Sequence, residues 1–144
     1  MSFVPPGFSV PEGLTTERFR LQPLDPQHND ADFEAWTSSV EHIRGTRGYE
    51  GRRWPQEMTL EENRRDLERH AEDFAARTGF TYTALDPSTG ETIGCVYIYP
   101  ADDHEHDARV FSWVRASRAD LDEPLRETVR EWLARDWPFQ RVEY

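Results

Sequence analysis

The sequence predicts an α/β fold of the mixed-sheet (α+β) kind, with element order β-α-α-β-β-β-α-β. Three observations predict it. Ile93, Cys95, Tyr97 and Tyr99 alternate with Gly94, Val96 and Ile98, so this segment is apolar on both faces and belongs at the centre of a covered sheet. Arg109 to Arg115 follows as a second strand after the polar turn Ala101 to Asp107. Leu125, Val129, Trp132 and Leu133 then recur at helical spacing, so a strand feeds a helix through an arginine-rich connection. Such junctions commonly hold anions in α/β folds.

The remaining elements follow in order. Residues 1–15 carry Pro5, Pro6 and Pro11 among Phe3, Phe8 and Val10, which predicts an extended arm pinned by a few apolar side chains. A single domain over residues 16–144 is expected beyond it. Thr16 to Leu24 reads as the first strand, ended by Pro23 and the turn-prone Asp25 and Pro26. Phe33, Trp36, Val40 and Ile43 stripe the helix that follows, with Asp30 or Asp32 placed to accept backbone N–H bonds at its start.

Arg44 to Gln56 loses all periodicity and gathers Gly45, Gly48, Gly51, Arg52, Arg53, Trp54 and Pro55, which marks a long internal loop. Thr59 and Glu62 form a capping box for a helix striped by Leu67, Ala71 and Phe74, with Gly79 where a left-handed terminal residue is expected. Phe80 to Leu85 alternates aromatic and threonine side chains and pairs as a hairpin with the central strand across Asp86 to Gly90. Asp122 and Pro124 open the last helix, Trp137 and Pro138 end it, and Phe139 to Tyr144 returns as a short strand.

Composition narrows the function classes. At 144 residues the chain is long enough to bury a core without disulfides or metal. Its net charge of −11 argues against nucleic-acid or anionic-membrane partners, which demand a basic face. Every basic side chain apart from histidine is arginine, a bias of GC-rich, bacterial coding. One cysteine, no export-type leader and no apolar run of bilayer length make the cytoplasm the expected location.

Candidate functional residues carry two readings each. Arg44, Arg47, Arg52, Arg53 and Trp54 form either a lid that grips an acidic or aromatic substrate, or a solvated loop anchored by Trp54. Tyr97, Tyr99 and Trp113 on adjacent strands are either pocket lining or plain core. His42 is a candidate base or substrate contact, whereas His70, flanked by Leu67, Ala71 and Phe74, reads as a core-edge histidine. Asp102 to Asp107 has metal-ligand residue types without a remote ligand set, and no metal is expected. Cys95 reads as a buried small hydrophobe.

The order of elements, together with Phe19-Arg-Leu-Gln-Pro-Leu24, Thr81-Tyr-Thr-Ala-Leu-Asp86, Thr92-Ile-Gly-Cys-Val-Tyr97 and Phe111-Ser-Trp-Val114, resembles the GNAT superfamily of acetyl-CoA-dependent N-acetyltransferases. The resemblance covers most of residues 16–144. It implies a divergent, C-terminally short member that moves an acetyl group from acetyl-CoA to a small-molecule amine. The family holds the coenzyme A pyrophosphate on a Gln/Arg-x-x-Gly-x-Gly/Ala loop, whose glycines let backbone N–H groups approach the phosphates. Arg115-Ala-Ser-Arg118-Ala-Asp120 stands at that place, with the leading arginine kept, Arg118 for the first glycine and Asp120 for the second.

By this resemblance Trp113, Val114, Arg115, Ser117 and Arg118 are the candidate cofactor contacts, and a backbone N–H near Val114 is the candidate oxyanion donor. His42 is the candidate base. Trp36, Arg44, Trp54 and Tyr97 are the candidate substrate contacts. The rival reading is a non-catalytic GNAT-fold domain that binds a metabolite or a protein partner, which the altered loop favours. A homodimer whose partner pairs with the last strand is a third expectation.

Overall fold

The computed structural model describes residues 2–144, so Met1 of the expected arm lies outside the described residues. Six strands run in spatial order β1 to β6: Leu14–Thr15, Arg20–Pro23, Phe80–Leu85, Thr92–Tyr99, Ala108–Val114 and Val142–Glu143. All neighbours are antiparallel except β5 and β6, which pair in parallel through Ala108 with Val142 and Arg109 with Glu143. The helices are α1 (Asn29–Thr37), α2 (Val40–Arg44), α3 (Leu60–Ala76) and α4 (Asp122–Asp136). The expected order therefore holds, with two local differences at its start. The first strand is a hairpin, because Thr16 accepts the Phe19 N–H on Oγ1 at 3.0 Å and folds the segment back on Leu14–Thr15. The first helix is two helices, because Ser39 Oγ donates to the Ala35 carbonyl at 2.8 Å where α1 ends.

The covered central strand is β4. One sheet face packs against α4 through Tyr82, Val96, Ile98, Leu125, Val129 and Trp132, and the other packs against α1 to α3 through Leu24, Trp36, Ile43, Leu67, Cys95 and Trp113. Ala84 pairs with Gly94 and Leu85 with Thr92, so Ile93 is the extra residue of a bulge and turns onto the α4 face. Gly94 is required here: a Cβ would lie 1.9 Å from the Trp113 carbonyl oxygen.

Capping differs from expectation at two points, the start of α1 and the end of α3. Neither Asp30 nor Asp32 caps α1; Asp25 caps the preceding 3-10 turn, Pro26–His28, by accepting the Gln27 N–H, and Asp32 is buried. Thr59 and Glu62 exchange both bonds of the capping box at 3.1 and 2.9 Å. The left-handed residue after α3 is Arg77 (φ 62°), not Gly79. Arg77 accepts that backbone because its Nη2 donates to the Pro5 and Phe8 carbonyls at 2.8 and 2.9 Å, holding the arm. Gly79 is small for another reason, since a Cβ would meet the Tyr99 ring at 2.0 Å. The arm also supplies the Pro11 carbonyl to Tyr82 Oη at 2.6 Å and buries Val4 in the core. Among the described residues no helix is long and apolar enough to cross a membrane.

Candidate functional site

A cleft of about 970 Å³ lies between α3, the loop after α2 and the outer parts of β4 and β5. Its walls mix aromatic side chains, Tyr49, Trp54, Tyr97, Tyr99 and Phe111, with charged ones of both signs. Trp54 enters from the irregular loop and packs at tilted angles with ring-centre separations of 5.3 Å to Trp36, 5.8 Å to Tyr49 and 6.0 Å to Trp113, so the loop is anchored by its tryptophan. Arg52 lies over Phe111 at 4.4 Å and Arg109 at 5.0 Å, which lines the mouth with guanidiniums. Tyr97 accepts the Trp113 indole N–H on its hydroxyl at 3.0 Å.

Two titratable groups in this cleft escape a reading of residue types alone. Asp32 is 4% exposed, and burial pushes its carboxyl up to about 6, against one hydrogen bond from Asn63 Nδ2 at 3.2 Å. Asn63 also accepts the Trp36 indole N–H at 3.0 Å and donates to Asn29 Oδ1 at 2.8 Å, so a buried polar network ties α1 to α3. His70 is held by Tyr99 Oη at 2.9 Å and Thr81 Oγ1 at 3.2 Å, both on Nδ1. Tyr99 gives its own proton to Asp73 Oδ2 at 2.8 Å, so Nδ1 carries the hydrogen that meets Tyr99, and Nε2 is left with its lone pair. Burial first, then Arg69, lowers the His70 pKa against Asp66 and Asp73, which favours the neutral ring. Asp73, Tyr99 and His70 thus form a hydrogen-bonded chain that orients the imidazole. The only sequence signal for it is the position of His70 on the buried stripe of α3.

The residues expected to act together are dispersed. Trp54 and Tyr97 line the cleft, while Trp36 is buried behind Trp54 with its indole N–H spent on Asn63. Arg44 points elsewhere and donates to the Pro55 carbonyl at 3.0 Å. His42 lies outside the cleft, in a second cavity of about 430 Å³, with Nε2 2.7 Å from Asp122 Oδ2. Trp113 and Val114 are buried core. Asp103 and His106, from the turn with metal-ligand residue types, approach Glu143 so that one ligand atom of each lies within 4.8 Å of the others; all stand at the surface and His106 is already bonded to Asp103.

The loop that stands where the family holds pyrophosphate is a 3-10 helix, Ala116–Leu121. The Ala116 N–H donates to Ser39 Oγ at 2.8 Å, the Arg118 N–H to the Arg115 carbonyl at 2.9 Å, and the Arg115 N–H to the Ile93 carbonyl at 2.8 Å. Three of the backbone donors are therefore already used, and Asp120, Asp122 and Glu123 crowd the helix start. Arg115 Nη2 meets both oxygens of Glu34 at 2.7 Å, and Arg118 Nη1 lies 2.9 Å from Glu91 and 3.3 Å from Asp86. Ser117 is exposed. The backbone does not fit a phosphate cradle. The Arg115 and Arg118 guanidiniums would reach phosphate oxygens only by giving up the carboxylates that hold them.

No protein-family model matches the sequence, and no curated protein matches it. Solved structures do. The ribosomal-protein-S5-alanine acetyltransferase of Vibrio fischeri superposes with a TM-score of 0.68 at 12% identity, over 90% of this chain and 71% of that one. A protein assigned to the GnaT family of acetyltransferases from Bordetella pertussis gives 0.55 at 18% identity, over 92% and 76%. The microcin C7 self-immunity acetyltransferase MccE, in complex with acetyl-CoA and AMP, gives 0.61 at 12% identity, over 85% and 67%. The chain has the mixed α/β fold of the GNAT acetyltransferases, as its order of elements predicts.

Proposed function

We propose that the chain is an acyl-CoA-dependent N-acetyltransferase acting on a small-molecule amine bound in the aromatic cleft. The observation that carries this reading is the neutral His70, its Nδ1–H fixed by Tyr99 and Asp73 and its Nε2 free to take the proton that an attacking amine must lose. Trp54, Tyr49 and Tyr97 offer π faces to an alkylammonium before that proton leaves. This assigns the base to His70 in place of His42, which stands in a different cavity. Arg115 and Arg118, released from Glu34, Glu91 and Asp86, would hold the cofactor phosphates. Bound acetyl-CoA supplies the thioester carbonyl that the amine attacks.

The carboxylate-clasped arginines favour a second reading, a non-catalytic domain that uses the same cleft to bind a metabolite. One experiment separates the two: calorimetric titration with acetyl-CoA, followed by a thiol-release assay against a panel of small primary amines. Micromolar binding and amine-dependent thiol release support the enzyme. Neither heat nor thermal stabilisation with acetyl-CoA would leave the binding domain as the surviving reading.

A further inference from the structure

Arg126, on the first turns of α4, is 4% exposed, yet its Nε and Nη2 find no acceptor among the described residues. Its guanidinium lies 4.2 Å over the Tyr144 ring, with Arg130 5.3 Å over the same ring. Arg126 lines the second cavity, about 430 Å³, which Arg47 also borders. None of these three arginines has a carboxylate partner among the described residues, although the chain carries 28 acidic side chains against 17 arginines. Burial, then Arg47 and Arg130, lowers the Arg126 pKa, with Tyr144 and Glu123 acting against the shift. A face stacked on an aromatic ring offsets part of that cost, but a guanidinium with two bare edges is still short of hydrogen-bond acceptors.

We propose that the cavity between α2 and the start of α4 is a binding site for a small carboxylate, held by Arg126 in its interior and Arg47 at its rim. The guanidinium fork matches a planar carboxylate, and the volume suits a small metabolite. The sign and number of charges select among oxyanions. Asp122 sits inside the cavity, paired to His42 at 2.7 Å, and Glu41 and Glu123 stand at the rim, so a dianionic phosphate meets more repulsion than a monocarboxylate does. The site is distinct from the aromatic cleft and does not depend on acetyl transfer.

Thermal unfolding of the full chain in sodium acetate or propionate, against chloride and phosphate at equal ionic strength, tests it. The wild type should melt higher in the carboxylates than in chloride. Arg126→Met should lose that response, equivalent to about a 10- to 100-fold weaker affinity for a charge-assisted hydrogen-bonded pair. The exposed Arg47→Met, which leaves the interior untouched, should weaken it severalfold and serves if Arg126→Met does not fold. A wild type indifferent to carboxylate, an undiminished response in both variants, or stronger stabilisation by phosphate than by acetate would each overturn the proposal.

Discussion

Glu34 places both carboxylate oxygens 2.7 Å from one nitrogen of Arg115, so the guanidinium best placed for a phosphate is already neutralised by a side chain 62% exposed. Only the carboxylate side of this pair is exposed, since the Arg115 side chain is 13% exposed and also donates to the Thr92 carbonyl at 3.2 Å. Replacing Glu34 with Gln removes the competing charge and should tighten acetyl-CoA up to about fivefold by calorimetry. Arg115→Ala should weaken it, and unchanged affinity in both variants would remove Arg115 from the cofactor contacts.

Asp32 predicts a pH dependence of stability. Its folded pKa, about 6, lies above the ordinary 3.8, so the folded state holds its proton more tightly than the unfolded chain does. Stability from this group is present below about pH 4 and is lost as pH rises through 6, a difference of about 3 kcal/mol at most. Asp32→Asn keeps an acceptor for Asn63 and should be more stable than the wild type at pH 8 and nearly equal at pH 4. Urea unfolding at both values checks it.

Asn63 joins Trp36, Asn29 and Asp32 through three side-chain bonds within the α1–α3 interface. Asn63→Ala leaves a buried indole N–H and a buried carboxyl without their partner. The expected cost is about 2–4 kcal/mol, read as a lowered denaturation midpoint at unchanged slope.

If His70 takes the amine proton, turnover should fall on the acid side with an apparent pKa below 6.5, because burial depresses its protonation. The acid limb should vanish in His70→Gln along with most of the rate. Gly79→Ala offers an indirect probe, since its methyl group would displace the Tyr99 ring and disturb the Nδ1 partner. That variant should lose about 1–3 kcal/mol of stability and show an altered acid limb. A normal pH profile in Gly79→Ala would mean that Tyr99 does not position the base.

What was legible in the sequence is what depends on near neighbours. The Thr59 and Glu62 capping box, the hairpin of β3 and β4 and the stripe of α4 are each written within a few residues, and each formed. The two ends of the Asn63 network, by contrast, lie 27 to 34 residues apart, and Glu34 meets Arg115 across 81. No periodicity encodes such meetings. The end of α3 misled for a physical reason: glycine normally takes the left-handed position, but Arg77 takes it where its guanidinium gains two carbonyls. His42 and His70 show the same limit, because a histidine's role follows from the hydrogen-bond partner of one ring nitrogen, and these partners came from other elements.

The arm held by Arg77 and Tyr82 bears on the order of folding events. Its contacts span 69 to 72 residues of chain, and their receptors exist only once α3 has met β3. Closing loops of that length costs entropy before any contact rewards it, so the arm is expected to dock late. It then acts as a latch on the finished core: deleting residues 2–12 should leave the refolding rate nearly unchanged and accelerate unfolding, which stopped-flow kinetics on both limbs would register.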